Sequence, residues 1–329
     1  MNSTHWVVAD IGGTNARFAR AEPATLALSE LRHYRCADFA TLEDLIRDYL
    51  AHGASPLPSA LCLAVPGVVE HDQVNLPNNH WRFSQDELRR SLNLDLKFIN
   101  DFTAQLYATF TLQEHELTWL GDARPTGNLV RAAVGPGTGL GVKALTPKGG
   151  LVPSEGGHFA YAPLDAHEVE LLQILWRRYE RVSVERLCSG PGLSLLYWAN
   201  SVLEGREAEL PPPAVSAGAL AGDALCLRAV NDFIHALGAT AGDLALILGA
   251  FDGVYLMGDL LPKLAPLFDP AALRARFNAK GRYSELCANI PLVLVNAEHT
   301  GLRGCAQVLR AQSGLFTPAT DSRSANPAQ

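Results

Sequence analysis

From residue 6 the chain alternates short apolar runs with glycine-bearing turns. Residues 6–10 are a strand-like run, Gly12-Gly13-Thr14-Asn15 is a turn, and residues 17–21 return as a second strand, which together predict a hairpin. Residues 41–52 carry Leu42, Leu45, Ile46, Tyr49 and Leu50 at helical spacing. Residues 61–65 read as a buried strand ending at Pro66-Gly67. Residues 85–92 predict a helix with Ser84 as N-cap and Glu87 as its capping-box partner. Residues 94–99 predict a strand that ends at Asn100-Asp101, with a helix from about Thr103.

A second block repeats the opening layout. Residues 130–134 are a strand, residues 135–141 a glycine turn, and residues 142–145 the returning strand. Beyond the turn there is little identity, so this is a weak internal repeat that hints at two related halves. The later chain predicts helices over 166–179, 183–187, 191–203 and from 223 to about 248. Residues 204–214, with Pro211-Pro212-Pro213, are expected to be a loop. The tail after Phe316, rich in Ser, Thr, Pro, Asn and Ala, is expected to be disordered over 316–329.

Composition narrows the class. A chain of 329 residues suggests about two domains, and 48% hydrophobic with 19% charged residues gives ample apolar surface to bury. A formal net charge of −7 and the lack of any basic run argue against a nucleic-acid partner. The N-terminus has no signal-peptide pattern, and apolar stretches such as 244–251 are broken well short of a membrane span, so a cytoplasmic protein with no membrane partner is expected. Six cysteines (36, 62, 188, 226, 287 and 305) show no CxxC spacing, which favours reduced thiols over a disulfide frame or zinc site.

Glycine turns expose backbone N–H groups that bind phosphate. Gly12-Gly13-Thr14 offers two such positions and a hydroxyl, and Asp10 just before them could hold magnesium, directly or through water. Gly137-Thr138-Gly139 supplies a second donor set. Either turn alone also fits an ordinary hairpin; the pair, one preceded by a strand-end carboxylate, points to phosphate. No P-loop, protein-kinase, dinucleotide, GxSxG or HExxH motif is present. Phosphoryl transfer also needs a group to accept the hydroxyl proton. Asp101 follows a strand and precedes a helix, where α/β sheets place ligands, although taken alone the position favours Asp101 or Thr103 as an N-cap. Glu155 and His158 flank two glycines, and Glu185 follows; carboxylates and imidazoles suit sugar hydroxyls, but each residue alone reads as surface or structural.

These stretches together resemble the bacterial hexokinase-type glucokinases of the actin-like ATPase superfamily. The similarity runs through Asp10-Ile-Gly-Gly-Thr-Asn-Ala-Arg17, Ile99-Asn-Asp-Phe-Thr-Ala104, Gly137-Thr-Gly-Leu-Gly141, Glu155-Gly-Gly-His158, Glu185-Arg186 and Ser189-Gly-Pro-Gly192. It spans about residues 7 to 309. The resemblance implies an α/β, two-domain actin-like ATPase fold with duplicated ribonuclease-H-like cores. Its small α/β domain would span 1–111, completed by 300–315, and its large α+β domain 112–299. The same resemblance implies that Asn100, Asp101, Glu155, His158 and Glu185 hold glucose, with Asp101 as base toward the 6-hydroxyl. Ala9, Asp10, Ile11, Gly12, Gly13 and Thr14, with Gly137, Thr138 and Gly139, would hold ATP, with Mg2+ at Asp10. A homodimer is implied. The zinc-binding CxCGxxGCxE motif of the related ROK family is absent.

The chain departs from the family pattern in three places. Asp252 and Asp259 stand where relatives typically carry glycine, and Ala160 where they commonly carry Asp. Asp259 fits a cap for a helix beginning at residue 260; alternatively, the added charges alter nucleotide binding. The competing functions are therefore a kinase for another hexose or phosphoryl donor, and a non-catalytic sugar sensor.

Overall fold

The computed structural model describes residues 5–53, 57–77 and 79–313, so the tail at 316–329 lies outside the described residues. The chain divides into two compact units. The first contains the described residues up to Glu114 and those from Ala297 on; the second is His115–Asn296.

In the first unit the elements run β1 (Trp6–Ile11), β2 (Asn15–Ala21), β3 (Leu28–Arg35), α1 (Leu42–Ala51) and β4 (Ala60–Val65). A small ribbon of β5 (Gln73–Asn75) and β6 (Arg82–Ser84) follows, then α2 (Gln85–Leu92), β7 (Leu96–Asn100) and α3 (Asp101–Ala108). The main sheet has the order β3-β2-β1-β4-β7, antiparallel through the first three strands and parallel from β1 onward.

Both faces of this sheet are covered, which explains why β4 and the first four residues of β1 read as unbroken apolar runs. Val7, Ala9, Ile11, Leu61 and Leu63 join Leu45, Ile46 and Tyr49 of α1. Their strand neighbours Trp6, Val8, Cys62 and Ala64 face Ala104 of α3 and Leu302, Cys305 and Leu309 of the C-terminal helix Thr300–Gln312. At Gly304 a Cβ would fall 1.8 Å from the Ala104 carbonyl oxygen, so these two helices cross backbone to backbone.

The second unit runs β8 (Leu117–Trp119), β9 (Arg131–Pro136), β10 (Leu140–Leu145), β11 (Leu151–Val152), α4 (Ala166–Leu175), α5 (Gly190–Leu203), α6 (Pro212–Leu220) and α7 (Ala224–Leu248). It ends with β12 (Gly253–Leu256), α8 (Leu261–Leu264), α9 (Pro270–Asn278), α10 (Ser284–Ala288) and β13 (Leu292–Val295). Its sheet order is β11-β10-β9-β12-β13-β8. The first five positions repeat the order and strand sense of the first unit, with β8 added antiparallel at the edge. Each unit thus has a ribonuclease-H-like core, and α4, α5 and α7 fill the second with Leu171, Leu193, Phe233 and Leu244 among others.

Several local expectations change. The helix after β7 starts at Asp101, with Asn100 as N-cap. Ser84 caps α2 as expected, but Asp72 supplies the second acceptor of that first turn, taking the Asp86 amide at 2.9 Å and the Ser84 hydroxyl. The expected loop at 204–214 ends early, because Pro212 and Pro213 sit in the first turn of α6, where no amide is needed. Residues 183–187 hold a single 3-10 turn, Val184–Arg186, because Ser183 bridges to Ala160 in an extended conformation. The helix predicted over 166–179 stops at Leu175 and continues as turns to Tyr179. Asp259 is exposed and α8 has no side-chain cap.

Among the described residues no single helix is long and apolar enough to cross a membrane. The pair α6 and α7 passes that test together, but it bends by 110° and α7 is largely buried in the core.

Candidate active site

In the first unit, Gly12 N donates to Asn15 O at 2.8 Å and closes the β1–β2 turn. The turn is braced from outside by Cys36 N on Thr14 O at 2.8 Å and by Asn79 Nδ2 on Gly12 O at 3.2 Å. Thr14 is exposed at its tip and Gly12 and Gly13 are half-buried. Ala9 and Ile11 turn their side chains into the core, so what they can offer a ligand is main chain.

Asp10 lies one residue from the turn on the opposite face, half-buried, with Arg17 Nη1 3.5 Å from its Oδ2. A Cβ on Gly301 would sit 2.7 Å from Asp10 Cγ, so the first turn of the C-terminal helix closes directly over this carboxylate. Among the described residues no three His, Cys, Asp or Glu side chains converge as a metal cage. One carboxylate beside an exposed glycine turn fits magnesium, which keeps waters and shares substrate phosphates; it does not fit a protein-only zinc centre.

Asn100 Oδ1 accepts from Phe102 N at 3.0 Å and Thr103 N at 3.1 Å, while its Nδ2 donates to Gly67 O at 3.2 Å and Asp101 Oδ1 at 3.0 Å. Asn100 therefore caps α3 and Asp101 is the first helical residue. The reading of Asp101 or Thr103 as the cap is not what the chain does. Phe102 N also reaches Asp101 Oδ1 at 2.7 Å, so the carboxylate is oriented by its own helix start.

In the second unit, Gly137 N donates to Gly139 O at 2.8 Å across the β9–β10 turn, the counterpart of the bond at Gly12. Gly190 N, at the start of α5, bonds Gly137 O at 2.8 Å, and Ser189 caps that helix through Gly192 N. Thr138 is exposed at the tip. Glu185 Oε2 accepts from Leu140 N at 2.9 Å, and its Oε1 lies 3.9 Å from His158 Nδ1. Gly157 is needed for this assembly, since a Cβ there would fall 2.3 Å from Leu140 O. Glu155 starts the turn that carries His158, its carbonyl accepting His158 N at 3.0 Å, but its exposed side chain pairs with Lys143 Nζ at 3.1 Å.

The structure thus gathers His158, Glu185 and Gly139, sets Asn100 beside Asp101, and keeps the Glu155 carboxylate on Lys143. Sequence reasoning missed Asn79, Lys143, Gly190 and Gly301 as supports. Only Gly301, spaced by three from Gly304 in an amphipathic helical pattern, carried a usable signal. Asp252 turns away from any ligand role: its Oδ1 accepts from Thr126 N at 2.8 Å and Gly127 N at 2.7 Å, and its Oδ2 from Arg131 Nη2 at 2.9 Å.

Two such cores, each opening with a glycine turn, form the actin-like ATPase fold, and the proteins this chain is similar to set its class as a sugar kinase. A crystal structure of glucokinase from an Antarctic psychrotroph matches with a TM-score of 0.86 and 34% identity, covering 93% of this chain and 99% of that one. The glucokinase of Chromohalobacter salexigens is 41% identical over 92% of this chain and 97% of its own length. That of Caulobacter sp. (strain K31) is 40% identical over 91% of this chain and 93% of its own. The family model described as glucokinase matches residues 7–312. This chain belongs to the glucokinase family.

Proposed function

We propose that the chain is a cytoplasmic glucokinase that transfers the γ-phosphoryl group of ATP to the 6-hydroxyl of D-glucose, giving glucose 6-phosphate and ADP at the first step of glycolysis. The observation that carries this reading is the division of labour at α3. Asn100 caps the helix, and the Asp101 carboxylate is held in a fixed orientation at the first helical position by the Phe102 amide and the Asn100 side chain.

In this reading Asp101 accepts the proton of the 6-hydroxyl as that oxygen bonds to the γ-phosphorus and the bond to the ADP oxygen breaks. Asn100, Glu155, His158 and Glu185 orient the sugar through its other hydroxyls. The amides and hydroxyls of Gly12, Gly13, Thr14, Gly137, Thr138 and Gly139 receive phosphate oxygens. Asp10 would hold Mg2+, which when bound neutralises phosphate charge. A homodimer is the assembly this family reading carries with it.

The test is ADP release from protein, Mg2+, ATP and glucose, with Asp101→Asn alongside. Turnover is expected to fall by at least about a hundredfold in the variant, the usual contribution of a positioned base. Its Tm should stay at the wild-type value, because the cap is Asn100. Wild-type turnover retained by Asp101→Asn would overturn the role of the base.

A further inference from the structure

The Glu185 carboxylate has two employments in the structure, and the sequence pointed to one. Its Oε2 takes the amide of Leu140, the residue that follows Gly137-Thr138-Gly139 directly. Its Oε1 faces His158. The space it occupies is the reason for Gly139, since a Cβ there would lie 2.5 Å from Glu185 Oε2 and 3.2 Å from its Cδ. The phosphate turn and the carboxylate are therefore built around each other. Gly190 N, five residues beyond Glu185, grips the other side of the same turn at Gly137 O.

We infer that Glu185 is a positioning residue that couples the sugar site to the second phosphate turn, so that sugar and nucleotide each strengthen the binding of the other through one shared carboxylate. This rests on the reading of Glu185 as a sugar ligand given above. A sugar hydroxyl that donates to Oε1 fixes the side chain, and a fixed side chain keeps Oε2 under the Leu140 amide. A charge-assisted bond of this kind loses strength steeply when its acceptor shifts. Coupling through binding free energy is reciprocal, so a change made on the turn must be felt at the sugar.

Gly139→Ala provides the test, because it changes a residue of the phosphate turn and leaves every proposed sugar ligand's identity in place, acting on Glu185 only through the space they share. Its methyl group would displace the Glu185 carboxylate. Calorimetric titration of glucose without nucleotide is expected to give a Kd about tenfold weaker than wild type, the loss that goes with one displaced hydrogen-bonded carboxylate. An unchanged glucose Kd in folded Gly139→Ala overturns the coupling.

A second pair of variants decides the matter even if Gly139→Ala does not fold. Without sugar, a non-hydrolysable ATP analogue with Mg2+ should bind Glu185→Gln within about threefold of wild type, because an amide oxygen can still accept from Leu140 N. The same analogue should bind Glu185→Ala about tenfold more weakly. Equal nucleotide affinity in Glu185→Ala and wild type overturns the proposal. A wild-type protein that binds no glucose at all overturns the glucokinase reading itself, and the coupling with it.

Discussion

Asp252 stands where the family pattern has glycine, and its surroundings decide what it does. Its side chain is fully buried, and burying a carboxylate is costly unless donors surround it. Here two backbone amides, the Thr126 hydroxyl and Arg131 do so, tying the segment before β9 to the start of β12. The charge is consumed inside the core. Asp252→Gly should therefore destabilise the protein by about 3 kcal/mol in urea unfolding, the range for breaking a buried ion pair from one side. The KM for ATP should be unchanged. A variant with wild-type stability and a lower KM for ATP would restore the view that this aspartate tunes nucleotide binding.

At the scale of elements, helices could be read from apolar spacing, and a local cap such as Ser84 from its neighbours. The further partners of a first turn could not, because they are drawn from whatever lies near in space. Asp223, where the sequence places the start of a helix, is its N-cap. It caps the longest helix, α7, through Cys226 N at 2.8 Å, and this bond holds its carboxyl below the ordinary value of 3.8. At α2 the capping partner came from Asp72, twelve residues before Ser84, and no local pattern reveals that. A depressed folded pKa gives stability that is present above the unfolded value and lost as pH falls through the folded one. Asp223→Ala should accordingly lower the Tm at pH 7, with a gap to wild type that narrows as pH falls below about 3.8. Calorimetry at pH 7, 5 and 3 checks this; a gap of constant size down to pH 3 would remove the carboxylate's charge from the account.

At the scale of the molecule, the duplicated sheet order left only a trace in the sequence. Topology depends on where apolar runs and turns fall, and two halves can keep that layout with few shared residues. The site followed the same rule. Motif residues were readable, but the pairs Glu185 with Leu140 and Asn79 with Gly12 join positions 45 and 67 apart, which only folding brings together. The six thiols offer a measurement that spans both cores. All are buried: Cys36, Cys62 and Cys305 in the first unit, and Cys188, Cys226 and Cys287 in the second. Burial pushes Cys188 up to about 12 and Cys226 to about 11, and raises Cys36, Cys287 and Cys305 as well. Since the thiolate is the reacting form, native protein at pH 8 should react with dithionitrobenzoate only as fast as its cores open. Six thiols should then titrate at once in guanidinium, as expected for reduced cysteines. Reaction of any thiol within seconds in the native protein would show that its core opens far more readily than this packing allows, and peptide mapping of the labelled cysteine would say which unit gives way.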